Sequence, residues 1–325
     1  MAVTIQVRTG AQARGVRPVD PMRDLPAIVE LVALGFEEEL DPQGQKMLAE
    51  MRKAAQRRPW SAVMEGDVDT AGFVWVEEGR IVGNLSLRYA LSAKSHGHLI
   101  GNVVVHPDYR GRGIGHALVE AAIDAARRQN SPWIGLEVRE DNPAACTLYA
   151  HMGFETVGKQ QHLLRPANMP WPAGEVPRGP WRTSKPRDSH LWIKLADAIY
   201  MPRQQWVLEV RPSQYTFGSF ERRLNRWMDG EWEGAWLYGN QKEARLAVSV
   251  RTDKRSHFHL WDILAHPAED AAGAHTCVAQ ALWATRRFPP WPVITFAADQ
   301  SPLVQALFDM GFKHHRTLMQ MVLEL

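Results

Sequence analysis

The residues best suited to chemistry lie at 103–118, VVVHPDYRGRGIGHAL, where an apolar run breaks into Arg110, Gly111, Arg112, Gly113, Ile114, Gly115 and His116. From Ile114 the apolar positions recur at Ala117, Leu118, Ala121, Ala122 and Ala125, the spacing of one buried helix face. The glycines therefore precede a helix, whose first turn leaves backbone N–H groups without intrahelical partners and carries partial positive charge. Without a Cβ, these positions tolerate φ > 0 and let a ligand approach the main chain closely. A diphosphate suits such a turn, with Arg110 and Arg112 adding full charges nearby. Two other phosphate-binding loops fail on spacing. No Gly-Lys-Ser/Thr occurs in the chain, and the glycine register is G-x-G-x-G, not the dinucleotide G-x-G-x-x-G.

The stretch resembles motif A of the GNAT superfamily of acyl-CoA-dependent N-acyltransferases, R/Q-x-x-G-x-G/A, standing here as Arg110, Gly113 and Gly115. Residues 136–154, LEVREDNPAACTLYAHMGF, resemble its motif B: a strand, Asn142, A-x-x-L-Y ending at Tyr149, then Gly153-Phe154. The resemblance implies an α/β fold with a mixed sheet, in which acetyl-CoA wedges between two parallel strands that splay apart, residues 98–105 and 133–139. It implies that Val103, Val104 and Val105 offer main-chain groups to the pantetheine arm. An N–H near Val103 would polarise the acyl carbonyl. The amides from Gly111 to His116 would hold the diphosphate, and Asn142 would stand beside the pantetheine end.

By the same resemblance Tyr149 falls where the family places a general acid, a phenol able to return a proton to a departing thiolate. The plainer reading of Tyr149 is packing on the coenzyme. Glu137 matches the base of the bacterial branch that acetylates protein N-terminal amines; the plainer reading is a strand-end salt bridge with Arg139. Leu99 stands where histone-acetylating members carry an acid, so that base is missing. His96 and His98 remain as further base candidates, against the ordinary reading of surface histidines.

Other elements must position these groups. A strand is expected over 14–19, a helix over 21–36, a second helix from Pro42 to about Arg58, and a hairpin of 71–79 with 81–89 turning at Glu78-Gly79. This is the family's order of elements.

A chain of 325 residues exceeds one such domain. Residues 258–325 repeat the layout: HLWDILAHP echoes HLIGNVVVHP, and FDMGFKHHR echoes YAHMGFETV. In this second copy Glu269 and Asp270 stand near where the first has arginines, and Phe308 replaces Tyr149. Strands are expected at 244–250 and 292–297, and a helix from Ser189 to Tyr200. The expected organisation is thus two tandem GNAT-like domains. Residues 1–165 are catalytic, 166–187 form a Pro/Gly-rich linker, and 188–325 are a degenerate, noncatalytic copy.

Ten of the thirteen Trp lie beyond residue 165. They could line a cleft facing Tyr149, or pack core and domain contacts; packing is favoured. Cys146 and Cys277 are too few for a disulfide framework or cysteine zinc cluster, and the scattered histidines match no metal motif, so no metal is expected. A formal charge of +2 gives no bias toward nucleic acid, and Arg52, Lys53, Arg57 and Arg58 read as a solvated helix face. No leader or apolar run of membrane-spanning length is visible, so a cytoplasmic protein that does not engage membranes is expected.

The functional expectation is transfer of an acetyl group from acetyl-CoA to a primary amine, on a small molecule or a peptide, by direct attack through a tetrahedral intermediate. A noncatalytic acyl-CoA sensor and a homodimer formed through the second half remain open as alternatives.

Overall fold

The computed structural model describes residues 14–36, 40–56, 71–171 and 179–325. Arg57, Arg58 and linker residues 172–178 lie outside them. The first half runs β1 (Gly15–Pro18), α1 (Pro21–Phe36), α2 (Pro42–Gln56), β2 (Ala71–Glu77), β3 (Arg80–Leu91), β4 (His96–Val105), α3 (Ile114–Arg128), β5 (Trp133–Arg139), α4 (Pro143–His151) and β6 (Glu155–Arg165). These elements follow the sequence expectation closely, because each is long and strongly patterned. Ile28, Val29 and Val32 of α1 bury against Val74, Val76 and Val104, while Leu118, Val119 and Ala122 of α3 bury against Leu85, Leu87 and Ile134. Separate helices therefore cover the two faces of one sheet.

The second half contains β7 (Trp181–Thr183), α5 (Ser189–Ile199), α6 (Pro202–Val207), α7 (Phe220–Met228), β8 (Glu231–Gly239), β9 (Ala244–Asp253), β10 (Phe258–Ala265), α8 (Ala271–Thr285), β11 (Val293–Ala298), α9 (Leu303–Asp309) and β12 (Lys313–Glu324). The expected linker is thus not featureless, since its end supplies β7, which pairs with β8.

The two repeats also share their strands. Among the described residues there is one 12-stranded sheet, in the order β1-β2-β3-β4-β5-β12-β6-β11-β10-β9-β8-β7. The last strand of the second repeat, β12, lies antiparallel to β5 of the first, with Gln320 opposite Glu137. The last strand of the first repeat, β6, lies antiparallel to β11 of the second, with His162 opposite Phe296. Nothing in a single repeat's hydrophobic pattern names these partners, since neither closing strand, ETVGKQQHLLR or KHHRTLMQMVLE, carries a regular alternation that would fix its neighbour.

Helices cross over as well. Trp206 of α6 stacks on Trp133 of β5 with ring centroids 5.6 Å apart, and Val207 of the same helix is buried beside Leu99 and Val322. In return, Lys46 of α2 reaches Glu231 at 3.2 Å and Asp253 at 2.7 Å in the second repeat. Trp192 and Trp261 are core residues, each 1 % exposed or less. Among the described residues no Trp lines the cleft holding Tyr149, and several, Trp192 and Trp261 among them, pack in the core.

Candidate active site

β4 and β5 run parallel and pair at only three positions, His98 with Ile134, Leu99 with Gly135 and Ile100 with Leu136. Beyond them the strands separate, leaving the β5-facing main-chain groups of residues 101–105 without a strand partner. A bulge sets the angle of departure. Asn102 adopts φ +49°, and the β3–β4 register shifts by one residue beside it. Asn84, 1 % exposed, donates to the Asn102 carbonyl at 2.9 Å and pins the bulge. Asn84, a polar residue at the centre of an apolar strand, is the sequence signal of this feature.

At the end of β4 the chain turns through Gly111 (φ +75°) and Gly113 (φ +77°) into α3. These two positions require glycine, since a Cβ strains that backbone. Gly113 caps the helix without any side-chain hydrogen bond, and a Cβ at either position would meet open space. The turn is therefore an open cradle of amides, with the shape and polarity a diphosphate needs. Arg110 folds back to donate to the Val105 carbonyl at 3.1 Å, and its residue lines the cleft. Arg112 does not line this cleft: its guanidinium lies over the Tyr109 ring and donates to the Asp108 carbonyl at 2.8 Å. His116, one turn into α3, is also absent from the lining.

The cleft between the splayed strands measures about 500 Å³ and is lined by Val103, Val104, Val105, Gly111, Gly113, Ile114, Gly115, Asn142 and Tyr149. A second space of about 250 Å³ adjoins it through shared walls at Val103, Asn142 and Tyr149 and holds Glu137. Asn142 caps α4 by accepting from the Ala145 amide at 3.1 Å, which fixes the start of the helix carrying Tyr149. Tyr149 is 5 % exposed, and burial pushes its phenol up to about 12. It stays protonated through the working pH range of proteins, as a proton donor must.

Glu137 stands on β5 beyond the splay. Solvent reaches it through the cleft, yet surrounding protein raises its carboxyl above the ordinary value. Desolvation outweighs the opposing hydrogen bond from Gln320 and the charges of Arg316 and Arg88. Gln320 donates to it at 2.7 Å from β12, and Arg316 and Leu318 of β12 line the same space. The alternative role for Glu137, a salt bridge with Arg139, is not formed; Arg139 bonds Asp141 at 2.8 and 2.7 Å. These contributions from β12 escaped the sequence reading because they arise from the strand exchange.

The remaining candidates sit elsewhere. His98 is buried with Nδ1 2.6 Å from the Ser131 hydroxyl, burial depressing its pKa, and His96 stacks on Tyr89. Cys146 is a free thiol donating to the Arg139 carbonyl at 3.4 Å. Asp41, His162 and His315 bring ligand atoms close enough for an ion. The Arg316 guanidinium already donates to Asp41 and to His162, each at 3.1 Å, and supplies the positive charge there. Among the described residues no helix is long and apolar enough to cross a membrane.

In the second repeat the equivalent turn is closed. Asp270 caps α8 by accepting from the Gly273 amide at 2.9 Å, and Glu269 crowds the space beside Gly273 while pairing with Arg245. Strand β10 is one residue shorter than β4 between its His and Pro and pairs with β9 without a bulge.

Comparison with known proteins agrees with this geometry. Residues 31–154 match the family model described as Acetyltransferase (GNAT) family. The mycothiol acetyltransferase of Thermobispora bispora is 36% identical over 114 residues, 34% of this chain and 37% of that protein. The ribosomal protein bS18-alanine N-acetyltransferase of Escherichia coli is 43% identical over 53 residues, 16% of this chain and 36% of that one. The chain thus spans less than two fifths of the length of these relatives. A tandem GNAT protein from the clavulanic acid biosynthesis pathway superposes over 96% of this chain and 98% of its own with a TM-score of 0.61 at 19% identity, which shows a shared fold. The matched segment contains the splay, the glycine turn and Tyr149, and the whole chain shares its fold with a tandem GNAT protein.

Proposed function

We propose that the first repeat, residues 1–165 completed by β12, transfers an acetyl group from acetyl-CoA to a primary amine, and that residues 188–325 are noncatalytic apart from that strand. The observation that carries this reading is the open glycine turn at the end of the splay, leading into the cleft that Tyr149 lines and that adjoins the space holding Glu137. Acetyl-CoA supplies the activated acyl group. The main chain of Val103 to Val105 aligns the pantetheine arm, and the amides of Gly111 to His116 hold the diphosphate. Glu137 takes the proton from the attacking amine, and Tyr149 returns one to the departing sulfur.

The relatives' names point to two acceptor classes to try first, a small-molecule amine and a peptide N-terminal amine. Calorimetric titration with acetyl-CoA, followed by turnover against both classes, tests the proposal. One coenzyme site per chain, lost in Gly113→Glu, is expected together with amine-dependent release of CoA. Equal affinity in wild type and Gly113→Glu refutes the assignment of the turn. Tight binding without turnover on any amine favours a sensor.

A further inference from the structure

The second repeat has a cavity of its own. β10 and β11 pair only from His259 to Trp261, the counterpart of the first splay, and beyond them lies a space of about 500 Å³. Gln43 of α2 contributes to its wall, so both repeats build it.

The helix over this cavity is amphipathic in the wrong sense. Arg222 and Arg226 of α7 turn inward, Arg222 bonding Glu233 at 2.6 and 2.8 Å and Arg226 bonding Glu231 at 2.5 Å. Phe220 and Trp227 on the other side are 82% and 76% exposed. Burying those rings would stabilise the fold, so the sequence forgoes that gain to hold charge over the cavity, a local conflict that marks functional sites.

Beneath the helix stands Asp262 on β10. Among the described residues no donor bonds its carboxylate, which is open to solvent through the cavity; the surrounding protein still pushes it up to about 6, desolvation outweighing the charges of Arg222 and Arg251. Its acceptor positions are therefore available to a bound ammonium. Arg251 of β9 faces the same space, and its ion pair with Glu231 is a loose 3.9 Å. Arg251 pairs in register with Leu260 and Ser249 with Asp262, so the two charges lie diagonally across adjacent strands. That separation, about 7–8 Å at the backbone, leaves a gap that the two charged ends of one small molecule can bridge.

We propose that this cavity is a binding site for a small zwitterionic amine of the α-amino acid class, its ammonium on Asp262, its carboxylate turned to Arg251 and its body against Leu260 and Phe296. The capped start of α8 excludes a second coenzyme from the role. The site does not depend on acetyl transfer in the first repeat.

The test is a melting-temperature and calorimetric screen of the full chain against the twenty L-α-amino acids, with each hit repeated as its N-acetyl derivative and its amide. At least one amino acid is expected to raise the melting temperature by about 4 °C at a hundredfold excess over Kd. The N-acetyl derivative should be inert. Asp262→Asn should weaken binding at least about tenfold, as loss of a charged hydrogen bond does. Arg251→Met should weaken the amino acid but not its amide, which decides the question if Asp262→Asn fails to fold. Gly113→Glu should leave binding unchanged. Absence of any hit, binding that survives both cavity variants, or binding lost in Gly113→Glu overturns the proposal.

Discussion

Replacing Gln320 with Met separates the contribution of the exchanged strand from that of the first repeat itself. The side chain is fully buried, donates to Glu137 at 2.7 Å and accepts from Gln204 at 3.1 Å. A hydrogen bond to a charged group contributes about 1.5–3 kcal/mol, and the lower end applies because solvent reaches Glu137 through the cleft. At about 1.4 kcal/mol per tenfold, losing it favours the protonated acid by roughly tenfold. If Glu137 must be ionised to accept the amine's proton, activity falls as pH drops through its pKa. Gln320→Met therefore moves the acid limb of the kcat/KM profile upward by about one pH unit. Coenzyme affinity should not change, since Gln320 lies outside the glycine-turn cleft. The melting temperature will also fall, because the Gln204 amide loses its acceptor, but that loss alone cannot move a pH limb. An acid limb that stays in place, with the variant folded, refutes Glu137 as the base or Gln320 as its positioning partner.

Tyr149→Phe should keep acetyl-CoA affinity within about twofold and lower kcat by roughly 10²-fold, the usual scale of lost general acid catalysis; unchanged kcat would reduce Tyr149 to packing. Lys46→Met removes the counter-charge of Asp253, 1 % exposed, while Glu231 keeps Arg226, and should cost about 3 kcal/mol at neutral pH. Despite desolvation, Lys46 and the amides of Ser256 and Arg255 hold the Asp253 carboxyl below its ordinary value. Its contribution is present above the unfolded carboxylate pKa of about 3.9 and is lost as pH falls through the folded value. The penalty, read as the melting-temperature difference from wild type, should accordingly shrink below about pH 4; a difference independent of pH would show that charge is not its cause.

Local signals carried most of this far. The helix spacing after Ile114, the glycine turn and the hairpin at Glu78-Gly79 are dictated within a few residues, and their elements form where the pattern puts them. The second turn was legible for the same reason, since Glu269 and Asp270 are visible as acids at a helix start. What escaped were pairings between distant strands. Gln320 and Arg316 reach the cleft only because β12 lies beside β5, some 180 residues earlier in the chain, and no periodicity encodes which closing strand joins which sheet. The side chain of Arg112 was not legible either: beside a phosphate turn it has a nearer aromatic ring and carbonyl to satisfy it.

The exchanged strands impose an order on biosynthesis. When β5 and β6 leave the ribosome, the strand that belongs between them has not been made, and β5 is left with an open edge until residues 313–324 appear. The first repeat cannot close ahead of the second, so partial products expose a template for pairing with other chains. Nascent chains stalled after Arg165 should depend on chaperones, and a premature stop before Lys313 should abolish coenzyme-dependent activity while leaving every residue of both sequence motifs intact. Translation of β12, more than completion of the motif-bearing half, sets the moment at which the walls of the cleft are first complete.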